Sequence, residues 1–465
     1  MLILVVGAGL VALKLRIGLG PLLDTPPLVS VAPPAEALLL RDVTLFDGSQ
    51  RALQPHRDVL VRGDRIVSVT ATGTAVPAGA QVIPTSGCTL LPGFIDAHTH
   101  VAGSGAPPWS PQRVSTAHNL EAYVYAGVTT VYMLGGLAPE MATLRRAMDA
   151  GKLVGPQLYY THLMLTAPGG HPVVVGRELA PWPLSAIGAA LIPQPRDAAE
   201  AEQAVDKTVA RNVHFIKVMV DSLPPSAPRM QAPVLQAIVA AAHRRGLKVF
   251  AHIGTSEDAL LAARSGVDVL AHGIYRGQLT AAQAQELAQL KIPVIYTLAG
   301  FARTAQLGRG EFVPSALDEA TVPAPILAAL RGDAGRHFGQ SPALAEFVKA
   351  LWESEPLWPG NVQALLAAGV PLLIGTDSPL PAVFPGSAFH AELRVLAAAG
   401  VPNAELLYAA TGRAADVLGL DSGRIQPGKV ADLVLVRGDP LADLGATEQI
   451  ELIILRGRLV RRLPR

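Results

Sequence analysis

The chain has 465 residues, of which half are apolar and 16% are charged, and its formal net charge is +1. This length allows two or three compact units, or one large barrel with additions. The near-neutral charge argues against nucleic acids and other polyanions as partners, so we expect a small-molecule substrate. The single cysteine, Cys88, excludes an intrachain disulfide and a thiolate metal set, and is best read as a small buried apolar residue.

Residues 1–34 are set apart from the predicted fold. Met1–Leu13 is an uninterrupted apolar run, which is short for a bilayer core but suits an export signal. Prolines at positions 26, 27, 33 and 34 separate this run from the next element. The segment predicts an exported protein, periplasmic or otherwise extracytoplasmic, or one attached to a membrane by an N-terminal anchor. A cytoplasmic protein with a buried N-terminal strand is the alternative.

Both ends of the remaining chain read as strands and turns. Residues 35–88 contain "ALLLRDVTLFDG" and "RDVLVRGDRIVSVT", and residues 421–465 contain "GRIQPGKVADLVLV" and "QIELIILRGRLVRR". Apolar and β-branched runs broken by glycine are typical of antiparallel strands. The two ends therefore predict one small composite β-sandwich domain.

Residues 89–420 alternate strand and helix patterns. Eight apolar strand candidates separated by helices are the count of a (β/α)8 TIM barrel within an α/β fold. A doubly wound open sheet is disfavoured, because no G-x-G-x-x-G is present and polar residues follow many strands. Two long insertions, about 166–196 and 300–360, follow predicted strands and are predicted to overhang the mouth as lids. The strand candidates are "GFIDAHTH", "VTTVYML", "PQLYYTHLML", "VHFIKVMVD", "LKVFAHIG", "VDVLAHG", "IPVIYTLA" and "VPLLIGTDSP".

Metal-binding residue types follow several of these strands. In "LLPGFIDAHTH" the two histidines alternate with other residues, so an extended chain points both imidazoles to the same side. Strand ends of a barrel converge on one opening. Histidine nitrogens and a carboxylate oxygen form a set typical of Zn²⁺ or a similar divalent ion. The strand-end residues are His98, His100, Lys217, His252, His272 and Asp377.

Lys217 is unusual in this company, because an ammonium cannot coordinate a metal. A desolvated, neutral amine can react with carbon dioxide, and the resulting carbamate can bridge two ions about 3.5 to 4 Å apart. The alternative is an ordinary lysine paired with Asp221 or Asp377 beside a single ion.

With these motifs the chain resembles the amidohydrolase superfamily, in its imidazolonepropionase-like and Xaa-Pro dipeptidase-like branch. The resemblance runs from about Leu38 to the C-terminus and is carried by "LLPGFIDAHTH", "FIKVMV", "VFAHIG", "VLAHG", "GTDSP", "GGHP" and "GRIQPGKVADLVLV". It implies a barrel plus a composite β-sandwich. It also implies two divalent ions, expected to be zinc, with carboxylated Lys217 as the bridge. One ion would be held by His98, His100 and Asp377, and the other by His252 and His272.

The resemblance further implies that Asp377 takes a proton from the attacking water and delivers it to the leaving amine. His171, in "PGGHP", matches a histidine that lies over the pocket in relatives and contacts substrate, although here Pro172 follows it. Tyr275, three residues beyond His272, can donate its hydroxyl to a substrate carboxylate; core packing is the alternative.

The expected activity is metal-dependent hydrolysis of an amide C–N bond in a dipeptide or an N-acyl amino acid. Opening of a cyclic amide or a lactone is the enzymatic alternative. A catalytically silent scaffold of the same fold is the non-enzymatic one, and the retention of all six ligand candidates argues against it. Homo-oligomerisation is compatible with the sequence.

Overall fold

The computed structural model describes residues 20–107, 109–174, 176, 184–331, 337 and 342–464. Strands from both ends of the chain form one nine-stranded sheet in the order β1-β17-β16-β15-β6-β2-β3-β4, with β5 paired to β2. Alternate side chains of β2 to β6 and β15 to β17 are buried together in one apolar cluster, whereas Val29 of β1 belongs to a second one. The strands are β1 (Val29–Val31), β2 (Ala37–Leu45), β3 (Gln54–Arg62), β4 (Arg65–Ala71), β5 (Ala80–Ile83), β6 (Cys88–Pro92), β15 (Leu433–Arg437), β16 (Ile450–Leu455) and β17 (Arg458–Arg462).

The central region contributes the eight strands predicted from the apolar runs. Their residues are buried throughout, except at alternate positions of the third, as expected for parallel strands covered on both faces. They form a three-stranded sheet, β7-β8-β9, and a five-stranded sheet, β10-β11-β12-β13-β14. The strands are β7 (Phe94–Thr99), β8 (Val128–Met133), β9 (Gln157–Tyr160), β10 (Ile216–Met219), β11 (Val249–His252), β12 (Val269–Ala271), β13 (Val294–Tyr296) and β14 (Leu372–Ile374).

Isolated parallel bridges connect the two parallel sheets at both edges. Leu165, beyond β9, pairs with Val218 of β10, and Thr99 of β7 pairs with Ser378, beyond β14. The amide of Leu165 donates to the carbonyl of Lys217 at 2.9 Å. The carboxyl ends of the first, fourth and eighth strands are thereby brought to one region of the molecule.

Helices cover the outer faces of the parallel strands and several begin with a side-chain cap. Thr255 forms a capping box with Asp258, and Thr280 does so with Gln283, which satisfies backbone amides of the first turn. The helices are α1 (Thr116–Tyr125), α2 (Ala138–Asp149), α3 (Leu184–Leu191), α4 (Ala198–Val209), α5 (Ala232–His243), α6 (Ser256–Arg264), α7 (Ala281–Gln289), α8 (Leu298–Arg309), α9 (Ala316–Thr321), α10 (Ala324–Leu330), α11 (Pro342–Ser354), α12 (Trp358–Ala367), α13 (Ser387–Ala398), α14 (Asn403–Ala409) and α15 (Gly412–Leu418), with 3₁₀ turns at Glu355–Leu357 and Leu444–Glu448.

The segment before residue 35 differs from its predicted role as a linker outside the fold. Val29–Val31 form an edge strand that pairs antiparallel with β17, and the side chain of Leu28 is fully buried. The prolines on either side did not prevent this, because an edge strand tolerates proline next to it. Met1–Leu13, on which the export prediction depends, lies outside the described residues. Among the helices that the structure describes, none combines the length and the apolar character needed to cross a bilayer.

Both predicted insertions follow parallel strands. The described part of the first includes α3, beyond β9, and the second, beyond β13, contributes helices α8 to α12. Arg303 of α8 forms a buried ion pair with Asp318 of α9, and a surrounding apolar cluster attaches this helical layer to the rest of the molecule.

Candidate metal centre

Three ligand-type side chains meet where β7 and β14 end. The ligand atoms of His98, His100 and Asp377 all lie within 4.8 Å of one another. One oxygen, Asp377 Oδ1, lies 3.1 Å from His98 Nε2 and 3.0 Å from His100 Nε2. Burial opposes ionisation of Asp377, but the charges of and hydrogen bonds from the two histidines hold its pKa well below the usual value. The carboxylate is therefore ionised and available as a ligand at neutral pH.

The backbone around this trio is tightly constrained. The amides of Thr376 and Asp377 both donate to the carbonyl of His98, at 3.0 and 2.8 Å. A Cβ on Gly375 would lie 2.8 Å from the Cβ of His98, so only glycine allows the two strands this approach. Asp377 has a φ of 57° and His272 a φ of 117°. Such conformations cost of order 1–3 kcal/mol and occur preferentially at functional sites.

His252 and His272 lie beside the trio at the ends of β11 and β12. Their ring centroids are 4.2 Å apart, and that of His272 is 4.5 Å from that of His98. His272 Nδ1 contacts the hydroxyl of Thr297 at 2.7 Å. His252 Nε2 lies 3.2 Å from Asp221 Oδ2. These contacts leave His272 Nε2 and His252 Nδ1 as the nitrogens available to a ligand.

His100 is oriented in the same manner, since its Nδ1 contacts the carbonyl of Gly135 at 3.1 Å. A metal-binding histidine commonly directs its other ring nitrogen to a carboxylate or a carbonyl, which fixes the tautomer and the ring orientation. His272 Nε2 and His98 Nδ1 are buried without a hydrogen-bond partner in the described part of the chain. A buried polar atom without a partner is costly, and a divalent ion would satisfy His272 Nε2. The imidazole nitrogens and the carboxylate oxygen gathered here therefore suit a divalent metal ion.

Lys217 projects from β10 into this group. Its side chain is almost fully buried, and its Nζ lies 3.5 Å from His98 Nε2. Burial lowers the pKa of the Lys217 ammonium to about 7, although Asp377 and Asp221 oppose the shift. A substantial fraction of this amine is therefore neutral near pH 7. The structure thus brings all six predicted ligand residues into one cluster of adjacent side chains.

The two predicted substrate-binding residues lie next to His252. The ring of His171 stacks on that of His252 with centroids 5.0 Å apart, and its Nδ1 has no partner among the described residues. Burial lowers the pKa of His171 to about 4, so the ring is neutral. Tyr275 is fully buried and stacks on Phe301, with centroids 3.8 Å apart. For both residues, contact with substrate stays a prediction.

Two contacts of the site were not assigned from the sequence. The sequence predicts Asp221 only as an ion-pair partner of Lys217, but in the structure its carboxylate lies 3.2 Å from His252 Nε2. No prediction from the sequence includes Thr297, whose hydroxyl contacts His272. Neither residue belongs to a motif with a metal-binding spacing. The one available signal was position, since both lie just beyond parallel strands that neighbour a histidine-bearing strand.

Comparisons with known proteins agree with this geometry. Residues 89–460 match the amidohydrolase family, which is four fifths of the chain. The protein belongs to the amidohydrolase family, and it is therefore a hydrolase of the class that acts on amide bonds.

Individual relatives extend over nearly the whole chain. Imidazolonepropionase of Streptomyces griseus subsp. griseus is 24% identical over 408 residues, which cover 86% of this chain and 90% of that protein. A Xaa-Pro dipeptidase with bound methionine superposes with a TM-score of 0.74 at 20% identity, covering 91% of this chain and 99% of the other. A prolidase in complex with N-methylphosphonate-L-proline gives a TM-score of 0.72 at 24% identity, covering 92% and 100%. At these identities the structural similarity establishes the fold.

Proposed function

We propose that the protein is a metal-dependent hydrolase that cleaves the amide C–N bond of a dipeptide or an N-acyl amino acid. The observation that carries the proposal is that the ligand atoms of His98, His100 and Asp377 lie within 4.8 Å of one another. The amine of the buried Lys217 lies against the imidazole of His98. Two histidines and an ionised carboxylate here surround a buried amine whose pKa is lowered to about 7. A metal centre accounts for both features.

The site residues divide into ligands and one proton carrier. Divalent ions bound here would acidify a water molecule and polarise the scissile carbonyl. We assign His98, His100 and Asp377 to one ion, and His252 and His272 to the other. Asp377, whose carboxylate is ionised, accepts the proton of the attacking water and returns it to the leaving nitrogen. His171 is assigned to the substrate. Tyr275 is assigned to it as well, and would reach it only by releasing Asp221, to which its hydroxyl donates.

Lys217 is assigned as the bridging ligand after carboxylation. The neutral amine attacks the carbon of carbon dioxide: an N–C bond forms, one C=O π bond opens onto its oxygen, and the nitrogen releases one proton to solvent. The product is an anionic carbamate with two oxygen donors. The lowered pKa of Lys217 supports this step, because only the unprotonated amine is nucleophilic. Zinc is the proposed metal, since imidazole and carboxylate donors suit it.

The relatives support two substrate classes. A prolidase and a Xaa-Pro dipeptidase among the similar structures favour a dipeptide. The similarity to an imidazolonepropionase over 86% of the chain favours the second candidate, the opening of a cyclic amide or a lactone at the same site.

We also propose that the two parallel sheets are arcs of one closed (β/α)8 barrel over residues 89–420. The bridges at Leu165 and Thr99 support closure, since they join the sheets at both edges. The nine-stranded sheet would then be the composite β-sandwich. Export or membrane attachment and homo-oligomerisation remain proposals from the sequence.

The test is a turnover assay on a panel of dipeptides, including Xaa-Pro, N-acyl amino acids, cyclic amides and lactones, with metal content measured on the same sample. We expect metal-dependent release of a free amine from a dipeptide or an N-acyl amino acid. Turnover of cyclic substrates alone would favour the second candidate. Full occupancy by metal without turnover of any substrate would support a scaffold instead.

A further inference from the structure

Asp221 occupies a position behind the metal centre that the proposed mechanism does not use. It follows β10 by two residues and is almost fully buried. Its Oδ2 lies 3.2 Å from His252 Nε2, and the hydroxyl of Tyr275 donates to the same oxygen at 3.2 Å. Arg276 approaches this oxygen at 3.4 Å. Three donors therefore converge on one oxygen of a buried carboxylate.

We infer that Asp221 is a positioning residue that fixes the tautomer and the orientation of His252 for metal binding. A carboxylate at Nε2 keeps the proton on that nitrogen and leaves Nδ1 unprotonated, as ligation requires. The inference rests on the proposed metal site. It adds a second carboxylate with a role distinct from that of Asp377, because Asp221 acts through His252.

The hydrogen bonds around Asp221 do not suit a purely structural ion pair. Oδ1 is buried and has no partner in the described part of the chain, which is costly for a group that only stabilises the fold. Arg276 does not depend on Asp221 alone, since it also lies 3.8 Å from Asp258 Oδ2. Of the three contacts on Oδ2, the guanidinium is the longest, and His252 and Tyr275 are nearer.

Tyr275 contacts both members of the pair formed by Asp221 and His252. Its hydroxyl lies 3.4 Å from His252 Nε2 as well as 3.2 Å from Asp221. Its ring is held by Phe301, and Trp358 Nε1 donates to its carbonyl at 2.9 Å. Because Tyr275 is fixed on both sides, Asp221 is held in place against His252, which gives the imidazole one orientation.

The test is titration of the metal-free full-length protein with Co²⁺ in bicarbonate buffer, with visible absorption as the readout. The variants are Asp221→Asn and, as the matched control, Asp258→Asn, which is equally buried and also faces Arg276 but does not contact His252. An asparagine can present its amide N–H to Nε2 and so favour the wrong tautomer.

We expect wild type to bind two ions. Asp221→Asn should bind one of them about 10- to 100-fold more weakly, as is typical when the outer partner of a ligating histidine is lost. Its absorption spectrum should change, whereas Asp258→Asn should keep the wild-type affinity and spectrum. Should Asp221→Asn not fold, Asp221→Glu takes its place, with the same weakening expected because the carboxylate is displaced.

The outcomes separate the inference from the proposed function. Wild-type affinity and spectrum in the Asp221 variants would overturn the role of Asp221 while the metal site stands. Equal weakening in Asp258→Asn would also overturn it, because the effect would then belong to the ion network around Arg276 or to the backbone after His252, where Asp258 accepts the amides of Gly254 and Thr255. Wild type that binds no Co²⁺ would overturn the proposed function and this inference together.

Discussion

The two halves of the candidate metal centre are assembled in different ways. His98, His100 and Asp377 contact one another directly, and the backbone of Thr376 and Asp377 is hydrogen-bonded to His98. His252 and His272 instead take their orientation from residues on other segments, Asp221 and Thr297. The first half is built into the contact between two strands, with one outer contact from His100 Nδ1 to the carbonyl of Gly135, whereas both imidazoles of the second half are oriented by outer side chains. We therefore expect the halves to fail differently when mutated.

The largest effect is expected from Asp377→Asn in the first half. The substitution removes the proposed proton carrier and an anionic ligand, so kcat should fall by roughly 10²- to 10⁴-fold. The fold should survive, because the asparagine is isosteric and the backbone contacts remain. Turnover kinetics and circular dichroism on one preparation check this. Turnover close to the wild-type rate would show that Asp377 is not the proton carrier.

Lys217→Ala tests the link between the two halves. Without the carbamate, the His252 and His272 half should lose its ion, so metal content should fall from two ions to one, with partial rescue by formate or acetate. Lys207→Ala, an exposed lysine on α4, is the control. Metal analysis after dialysis measures the change. Retention of two ions would favour an ordinary lysine at this position.

Thr297→Val isolates the second half. The valine keeps the shape but removes the hydroxyl that contacts His272 Nδ1 at 2.7 Å. Metal affinity should fall about 10- to 100-fold, with the first half still loaded. Thr130→Val is the matched control, because the Thr130 hydroxyl is buried without a partner among the described residues. If Thr297→Val and Thr130→Val bound the metal with equal Kd values, the second half would not depend on its outer hydrogen bonds.

The smallest expected effect is on the pH dependence of stability, and it concerns Glu392, which is hydrogen-bonded to the helix that follows Thr297. The Oε2 of Glu392 accepts the amide of Ala299 at 2.6 Å, in the first turn of α8, which begins directly after Thr297. Burial raises the pKa of Glu392 to about 8, although the amides of Ala299 and Leu298 lower it in part. Between the unfolded pKa of about 4.5 and this value, the folded state binds more protons than the unfolded state.

Stability should therefore decrease as the pH rises from about 4.5 to 8 through this residue. Glu392→Gln, which keeps an acceptor for Ala299 but cannot ionise, should remove that part of the decrease. Urea unfolding of both proteins at pH 5 and pH 8 measures it. The same pH dependence in both would show that Glu392 is not responsible.

The sequence predicted the parts of the molecule that follow from local patterns. Buried apolar runs revealed all eight parallel strands, and the H-x-H spacing predicted that His98 and His100 share one face, where the structure brings them together with Asp377. Asp221 and Thr297 were not assigned to the site, because their roles depend on contacts with side chains from other strands. The sequence predicts a linker where β1 lies, because the pairing of β1 with β17 joins residues more than 400 positions apart and has no local signal.

The composite sheet has a consequence for biosynthesis. Strand β6 continues almost directly into β7, which carries His98, and β6 pairs with β15 near the far end of the chain. A nascent polypeptide emerging from the ribosome lacks that neighbour until translation is nearly finished. Such long-range pairing forms slowly, so the active centre would mature only after synthesis of almost the entire polypeptide.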